Sequence, residues 1–109
     1  MKYKELKRVH FVGIGGIGIS YVAHFFLEQG TTVSGSDLNQ SIVTDQLAAK
    51  GAQVFEGHKA ENLSEDIELV VYNDAIPEDN PELVRAKELG LTLKTNFQVV
   101  GELSKDYKT

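Results

Sequence analysis

Gly13-Ile14-Gly15-Gly16-Ile17-Gly18 follows a short apolar run, residues 9–12, and opens a segment with helical patterning that continues to Gln29. A glycine-rich turn between a strand and a helix leaves backbone N–H groups bare at the strand end. There they can donate to an anion that the helix dipole also favours. Gly13, Gly15 and Gly18 fit the spacing G-x-G-x-x-G, and an acid, Asp37, follows about twenty residues on. The motif alone is weak. Set after a strand, before a helix and ahead of that acid, it points to a nucleotide diphosphate.

Outward from this loop, one junction recurs. Leu27-Glu28-Gln29-Gly30-Thr31-Thr32-Val33, Ala49-Lys50-Gly51-Ala52-Gln53-Val54 and Glu88-Leu89-Gly90-Leu91-Thr92-Leu93 each read as helix end, glycine, strand start. Repetition of that junction is the βαβ rhythm of a parallel sheet. Strands are predicted over 9–14, 32–35, 53–55, 68–72 and 91–94, with 68–72 apolar enough to be buried on both faces. Helices are predicted over 16–29 and 42–50, the second with Ser41 as N-cap. A third begins at Asn80-Pro81, an N-cap followed by proline in the first turn. A last helix is predicted over 97–105 with Asn96 as its cap. Right-handed crossovers then give a five-stranded parallel sheet of order 3-2-1-4-5, with a ligand crevice between strands one and four.

Bulk composition narrows the function classes. The chain has 109 residues, 41% of them apolar and 25% charged, as expected of one soluble globular domain. Its net charge of −5 argues against a nucleic-acid backbone as partner, but not against one nucleotide held by neutral N–H dipoles. There are no cysteines, which excludes disulfides, thiolate metal sites and cysteine nucleophiles. No apolar run approaches the roughly twenty residues that span a bilayer, so no membrane partner is expected. The basic start, residues 1–8, lacks the pattern of a signal peptide, and a cytoplasmic location is expected.

Such a sheet would gather its site at the carboxyl ends of the strands. The residues placed there are Gly13, Ile14, Gly15, Gly16, Ile17 and Gly18; Ser36 and Asp37; His58; Asn73, Asp74, Ala75 and Ile76; and Thr95 with Asn96. The offset of Asp37 from the glycines favours hydrogen bonding to ribose hydroxyls or a base over a plain turn cap. The apolar pair Ala75-Ile76 is read as packing against a base or sugar. His10 and His24 are assigned to a strand face and a helix side, without a role. No catalytic constellation emerges: there is no metal-ligand spacing, no G-x-S-x-G elbow and no lysine-bearing phosphate loop. The chain reads as a binder.

The stretch His10-Phe11-Val12-Gly13-Ile14-Gly15-Gly16-Ile17-Gly18-Ile19-Ser20 and the later Val33-Ser34-Gly35-Ser36-Asp37 resemble the N-terminal domain of the UDP-N-acetylmuramate–L-alanine ligases, in the Mur ligase family. Gly51-Ala52 leading to Gly57-His58, then Ala60-Glu61-Asn62-Leu63, Ala75-Ile76 and Asp79-Asn80-Pro81-Glu82-Leu83 extend the resemblance in order along nearly the whole chain. It implies a Rossmann-like three-layer α/β domain over residues 1–104, which binds the UDP part of UDP-N-acetylmuramic acid. Residues 105–109 would form a polar tail toward a missing ATP-binding domain. The diphosphate would lie on the loop 13–18, the uridine near Ser36, Asp37 and His58, and the sugar beside 73–76.

The reaction implied joins L-alanine to the lactyl carboxylate through an acyl phosphate made from ATP with magnesium, a step of peptidoglycan and cell-wall synthesis. Central and C-terminal domains would carry it. This domain would hold no cofactor and catalyse nothing alone. The chain departs from the family in Asn73-Asp74, where serines are common, and in Lys94-Thr95-Asn96, where arginines are common. A related ligase that attaches a recycled tripeptide shares the domain, but Ile17-Gly18-Ile19-Ser20 favours the alanine ligase. The alternatives are an NAD(H)-binding dehydrogenase or regulatory module, and a structural domain that binds nothing.

Overall fold

The three helix-to-strand junctions all turn through left-handed glycines, with φ of 93° at Gly30, 109° at Gly51 and 71° at Gly90. Each turn returns the chain to the sheet in the same sense, and the result is wholly parallel. The computed structural model describes residues 1–106, the side chain of Asp106 excepted. Strands β1 (Arg8–Val12), β2 (Thr32–Asp37), β3 (Gln53–Glu56), β4 (Leu69–Tyr72) and β5 (Thr92–Thr95) form one sheet in the order β3-β2-β1-β4-β5. That is the predicted order, with β3 at an edge.

Helices α1 (Ile17–Glu28), α2 (Ile42–Ala49) and α4 (Asn96–Asp106) cover one face of the sheet, and α3 (Pro81–Glu88) covers the other. The β3-to-β4 crossover has no α-helix, only a 3-10 turn at Ala60–Asn62 lying against α3. On α1, Ile19, Val22, Ala23 and Phe26 recur at helical spacing and bury one stripe against Val9, Phe11, Val33, Leu69 and Val71. Phe26 sits 6.1 Å from Phe11 and 6.2 Å from Tyr3, ring centre to ring centre. Burying each such side chain stabilises the fold by about 1.5–3 kcal/mol. A second, smaller core joins Val12 and Val70 to Leu63, Ile67, Leu83 and Ala86. Strand β4 thus feeds Leu69 and Val71 to one core and Val70 to the other, buried on both faces as expected.

The caps follow sequence with one exception. Ser41 accepts from the Thr44 N–H while Thr44 Oγ1 accepts from the Ser41 N–H, and Asn80 accepts from the Glu82 N–H at 2.9 Å. Asn96, the expected cap of α4, is instead its first residue. Thr95 takes that role: its hydroxyl accepts from the Gln98 N–H at 3.1 Å, and the Gln98 side chain accepts from the Thr95 N–H at 2.8 Å. A threonine three residues before a glutamine makes this reciprocal pair, and it leaves Asn96 facing elsewhere. Helix α4 runs to Asp106, and residues 107–109 of the polar tail lie outside the described residues.

Strand β1 stops at Val12, two residues before its predicted end, because the Gly13 and Ile14 N–H groups both turn onto the Ser36 carbonyl, at 2.8 and 2.9 Å. Strand β2 runs two residues longer than expected, because Ser36 and Asp37 pair with Phe55 and Glu56 of β3. Ile14 then folds over Gly35. A Cβ there would stand 2.5 Å from Ile14 Cδ1, 2.7 Å from Ile14 Cβ and 2.9 Å from the Phe11 carbonyl oxygen. Backbone and Cβ cannot step aside as a side-chain tip can. Gly35→Ala is expected to cost about 2 kcal/mol through overpacking, read as a lower urea midpoint at unchanged m-value.

Candidate functional site

The glycine loop is less bare than its sequence implies. Gly13 and Ile14 donate to the Ser36 carbonyl, and Gly16 N–H donates back to the Gly13 carbonyl at 3.0 Å. Gly15 N–H donates to Asp37 Oδ2 at 2.9 Å, and Asp37 Oδ1 accepts from the Asn39 N–H at 3.1 Å. The acid expected at a ribose anchors the loop from β2. What stays open is the next turn. The first intrahelical bond of α1 runs from Ser20 N–H to the Gly16 carbonyl, so the N–H groups of Ile17, Gly18 and Ile19 sit at the helix end without a helical acceptor. Gly16, the N-cap, supplies no side chain to cover them.

Two neighbours frame that turn. A Cβ on Gly16 would lie 3.9 Å from Asn73 Nδ2, and one on Gly18 would lie 3.4 Å from Asn96 Nδ2. The β4 loop and the start of α4 thus meet the start of α1 at the crevice between β1 and β4. Beside it, Asn73, Asp74, Thr95, Asn96, Phe97 and Val100 line a cleft of about 400 Å³. Neither α1 nor α4 has an acid in its first turn, so both helix ends keep their partial positive charge toward this corner. Phe97 is 85% exposed and Ile17 81%, apolar surface at the rim of the same corner. Asn96 Oδ1 is buried with no hydrogen-bond partner among the described residues.

The side chains of the β4 loop divide. Asn73 Oδ1 accepts from the Ala75 N–H and its carbonyl accepts from the Ile76 N–H, both at 3.0 Å, which closes a turn. Asp74 and Ala75 are exposed. Ile76 packs onto the second core and its tip lies 3.6 Å from a Cβ built on Gly13, so it supports the loop from below. Ile14 likewise is fully buried and offers only backbone. Lys94 faces away from the cleft: its Nζ lies 2.5 Å from Glu102 Oε1 of α4 and 5.7 Å from the centre of the Tyr3 ring.

Ser36 and His58 belong to a buried polar cluster that the sequence reading did not find. Its centre is Glu82, fully buried at the start of α3. Glu82 Oε1 accepts from the Ser36 hydroxyl at 2.8 Å and lies 2.6 Å from His10 Nε2. Glu82 Oε2 accepts from the Lys59 N–H at 3.0 Å and the Asn62 side chain at 2.9 Å. His10 Nδ1 lies 2.8 Å from Ser34 Oγ, and His58 Nδ1 lies 2.7 Å from Ser36 Oγ. Burial alone would raise the Glu82 pKa. The His10 hydrogen bond and charge, with hydrogen bonds from Asn62 and Ser36, outweigh it and hold the carboxyl below the ordinary glutamate range. A signal was present: with Val9 and Phe11 on one face of a central strand, His10 had to lie on the other buried face and needed a partner. His24 lies on α1 as expected, lining a groove with Tyr21 and Gln46.

Among the described residues there is no group of three His, Cys, Asp or Glu that could hold a metal ion. No helix among them is long and apolar enough to cross a membrane.

A doubly wound parallel sheet with a glycine turn and an open helix end at its switch point defines a Rossmann-like class of α/β domain. A family model described as "Mur ligase family, catalytic domain" matches residues 8–108, and the chain belongs to that family. It is similar to the UDP-N-acetylmuramate–L-alanine ligase of Clostridium acetobutylicum, 44% identical over 94% of this chain and 22% of that protein. The same enzyme of Alkaliphilus metalliredigens is 43% identical over 99% of this chain and 23% of that one. Among solved structures, the UDP-N-acetylmuramate–alanine ligase of Thermotoga maritima superposes with a TM-score of 0.89 at 36% identity, covering 93% of this chain and 23% of that chain. The UDP-N-acetylmuramate:L-alanyl-γ-D-glutamyl-meso-diaminopimelate ligase of Neisseria meningitides gives 0.79 at 29%, covering 89% of this chain and 31% of that one. The chain therefore spans only 22–23% of the length of the curated relatives it matches.

Because the folded-state pKa of Glu82 is depressed, its stabilising contribution is present above the unfolded value of about 4.3 and is lost as the pH falls through the folded one. Urea denaturation from pH 7 downward is expected to show stability falling once the pH drops below about 4.3, with a part that Glu82→Gln removes beside the share of the other depressed carboxylates, Asp66 and Glu102. Glu82→Gln can keep its amide oxygen on Lys59 N–H and the Asn62 amide only by turning its NH2 toward the Ser36 hydroxyl and His10 Nε2, which donate to the carboxylate in the wild type. It is expected to lose about 3 kcal/mol at pH 7, with the gap to wild type narrowing in acid.

Proposed function

We propose that this chain is the UDP-sugar-binding domain of a UDP-N-acetylmuramate–L-alanine ligase. The observation that carries the reading is the open first turn of α1, with three N–H groups left unengaged where the helix dipole is positive. A diphosphate suits it: oxygen acceptors meet donors, and negative charge meets the helix end without a lysine. The nearby start of α4 adds a second positive end. Asp37, with one hydrogen bond on each oxygen, keeps lone pairs for ribose hydroxyls. Ser36 and His58 lie at the ends of β2 and β3, on the side where a uridine would extend. The sugar would reach toward Asn73, Asp74 and the cleft beside Thr95 and Asn96.

The relatives' names support UDP-N-acetylmuramate and L-alanine as the substrates of the longer protein, and on this reading the chain serves peptidoglycan synthesis in the cytoplasm. ATP and magnesium belong, on this reading, to central and C-terminal domains of a longer protein, which are the domain's partners. The residues in hand bind and orient; they hold no group for bond making. The competing reading, an NAD(H) module, asks the sheet to hold two mononucleotides. Only β4 and β5 lie beyond the switch point, too little for the second half.

Titration followed by backbone amide resonances tests this. UDP and UDP-N-acetylmuramate are expected to move Ile17, Gly18 and Ile19 most, and NAD much less. An equal response to NAD would favour the dinucleotide module, and silence with every nucleotide would leave a structural domain. In Gly15→Val the new side chain starts 2.9 Å from both Asp37 Oδ2 and Thr44 Cγ2. It is expected to weaken UDP binding by about a hundredfold, close to 2.7 kcal/mol, while the fold persists. Unchanged affinity would show that the loop does not hold the diphosphate.

A further inference from the structure

The buried cluster around Glu82 has a direction set by its protons. An ionised carboxylate can only accept, and four groups converge on this one: His10 Nε2, the Ser36 hydroxyl, the Lys59 N–H and the Asn62 amide. Ser36 has one proton. If it were turned toward His58, Ser36 Oγ and Glu82 Oε1 would face each other at 2.8 Å as two acceptors with nothing between them. The proton therefore goes to Glu82, and Ser36 Oγ must accept from His58 Nδ1, which is 2.7 Å away. A neutral imidazole has one N–H, so with Nδ1 as donor its Nε2 carries a lone pair. Among the described residues His58 Nε2 has no partner, and it is not one of the fully buried polar atoms that lack one. The side chain is 11% exposed, which leaves that ring edge as the part open to a ligand.

We propose that Glu82 is a positioning residue for the nucleotide site: through Ser36 it fixes His58 as the Nδ1–H tautomer and presents Nε2 as an acceptor for a hydrogen-bond donor on the nucleoside. This rests on the nucleotide reading above and adds to it. The chemistry sought is a donor, either a ribose hydroxyl or the N–H of a base. A site built this way discriminates strongly, since a group that can only accept, set against Nε2, leaves two lone pairs opposed. His10 serves the same end at one remove. Its Nε2 holds Glu82 Oε1 in place from β1, and Ser34 holds the other ring nitrogen.

The test is the nitrogen spectrum of the histidine rings, recorded at alkaline pH. Free wild-type protein is expected to show His58 with a protonated Nδ1 and an unprotonated Nε2. UDP is expected to shift Nε2 in the sense of an accepted hydrogen bond, together with the Ile17–Ile19 amides. 2′,3′-Dideoxy-UDP separates the donors: a retained Nε2 shift assigns the base N–H, and a lost one assigns a ribose hydroxyl. Glu82→Gln and Ser36→Ala are each expected to raise the Nε2–H tautomer and weaken UDP roughly tenfold. Should Glu82→Gln fail to fold, Ser36→Ala and the wild-type spectrum still give the answer. An Nε2–H ring in free wild type overturns the proposal. So does UDP that moves the Ile17–Ile19 amides and leaves Nε2 unmoved, in which case nucleotide binding itself stands. UDP that moves no resonance removes both.

Discussion

A carboxylate with no access to water is tolerated only when its oxygens are met by donors, and that requirement ties this domain together on one side of its sheet. Glu82 draws its four donors from three separate places: His10 in β1, Ser36 in β2, and Lys59 and Asn62 in the segment that crosses to β4. Helix α3 cannot slide or turn without breaking several of them together. The end of β2 and the approach to β4 are therefore set in register by polar geometry, where most parallel sheets rely on an apolar helix.

The same strand end also governs the glycine loop. The Ser36 carbonyl takes two N–H groups from residues 13 and 14, and the adjoining Asp37 takes a third from Gly15. This leaves the first turn of α1 as the place where an anion finds donors. Beside it the start of α4 brings a second helix end, and neither helix spoils its field with an acid. A nucleotide diphosphate could lie there without a cationic side chain, consistent with a chain whose net charge is −5.

Much of this architecture was legible in the sequence because its signals are local. Glycine after a helix, a Ser41 or Asn80 cap and the unbroken apolar run of β4 each act over a few residues, and they fixed strand order through the crossover rule. The loop at 13–18 was equally plain, and so was the family resemblance. What escaped depends on residues far apart. His10 and Glu82 stand 72 positions from one another, and nothing local to Glu82 marks it as a buried carboxylate. Asp37 reads from its spacing as a ligand contact, and in the fold its carboxylate accepts from the Gly15 and Asn39 N–H groups, a loop anchor 22 residues away in sequence from Gly15. Asn96 has the composition of a cap, but the reciprocal pair between Thr95 and Gln98 sets the start of α4 one residue earlier. Ala75-Ile76 read as one apolar contact for a ligand, yet Ile76 turns into the second core.

The crossover from β3 to β4 has consequences of its own. It carries a single 3-10 turn, so the roof above β2 at that corner is stitched from hydroxyl, imidazole, amide and carboxylate groups. The same crossover also gives Leu63 and Ile67 to the second core, so lifting it would open that core as well as the polar cluster. Polar and apolar contacts there must therefore give way together, which binds the wall beside β2 to the stability of α3 and its core instead of leaving it a loose flap.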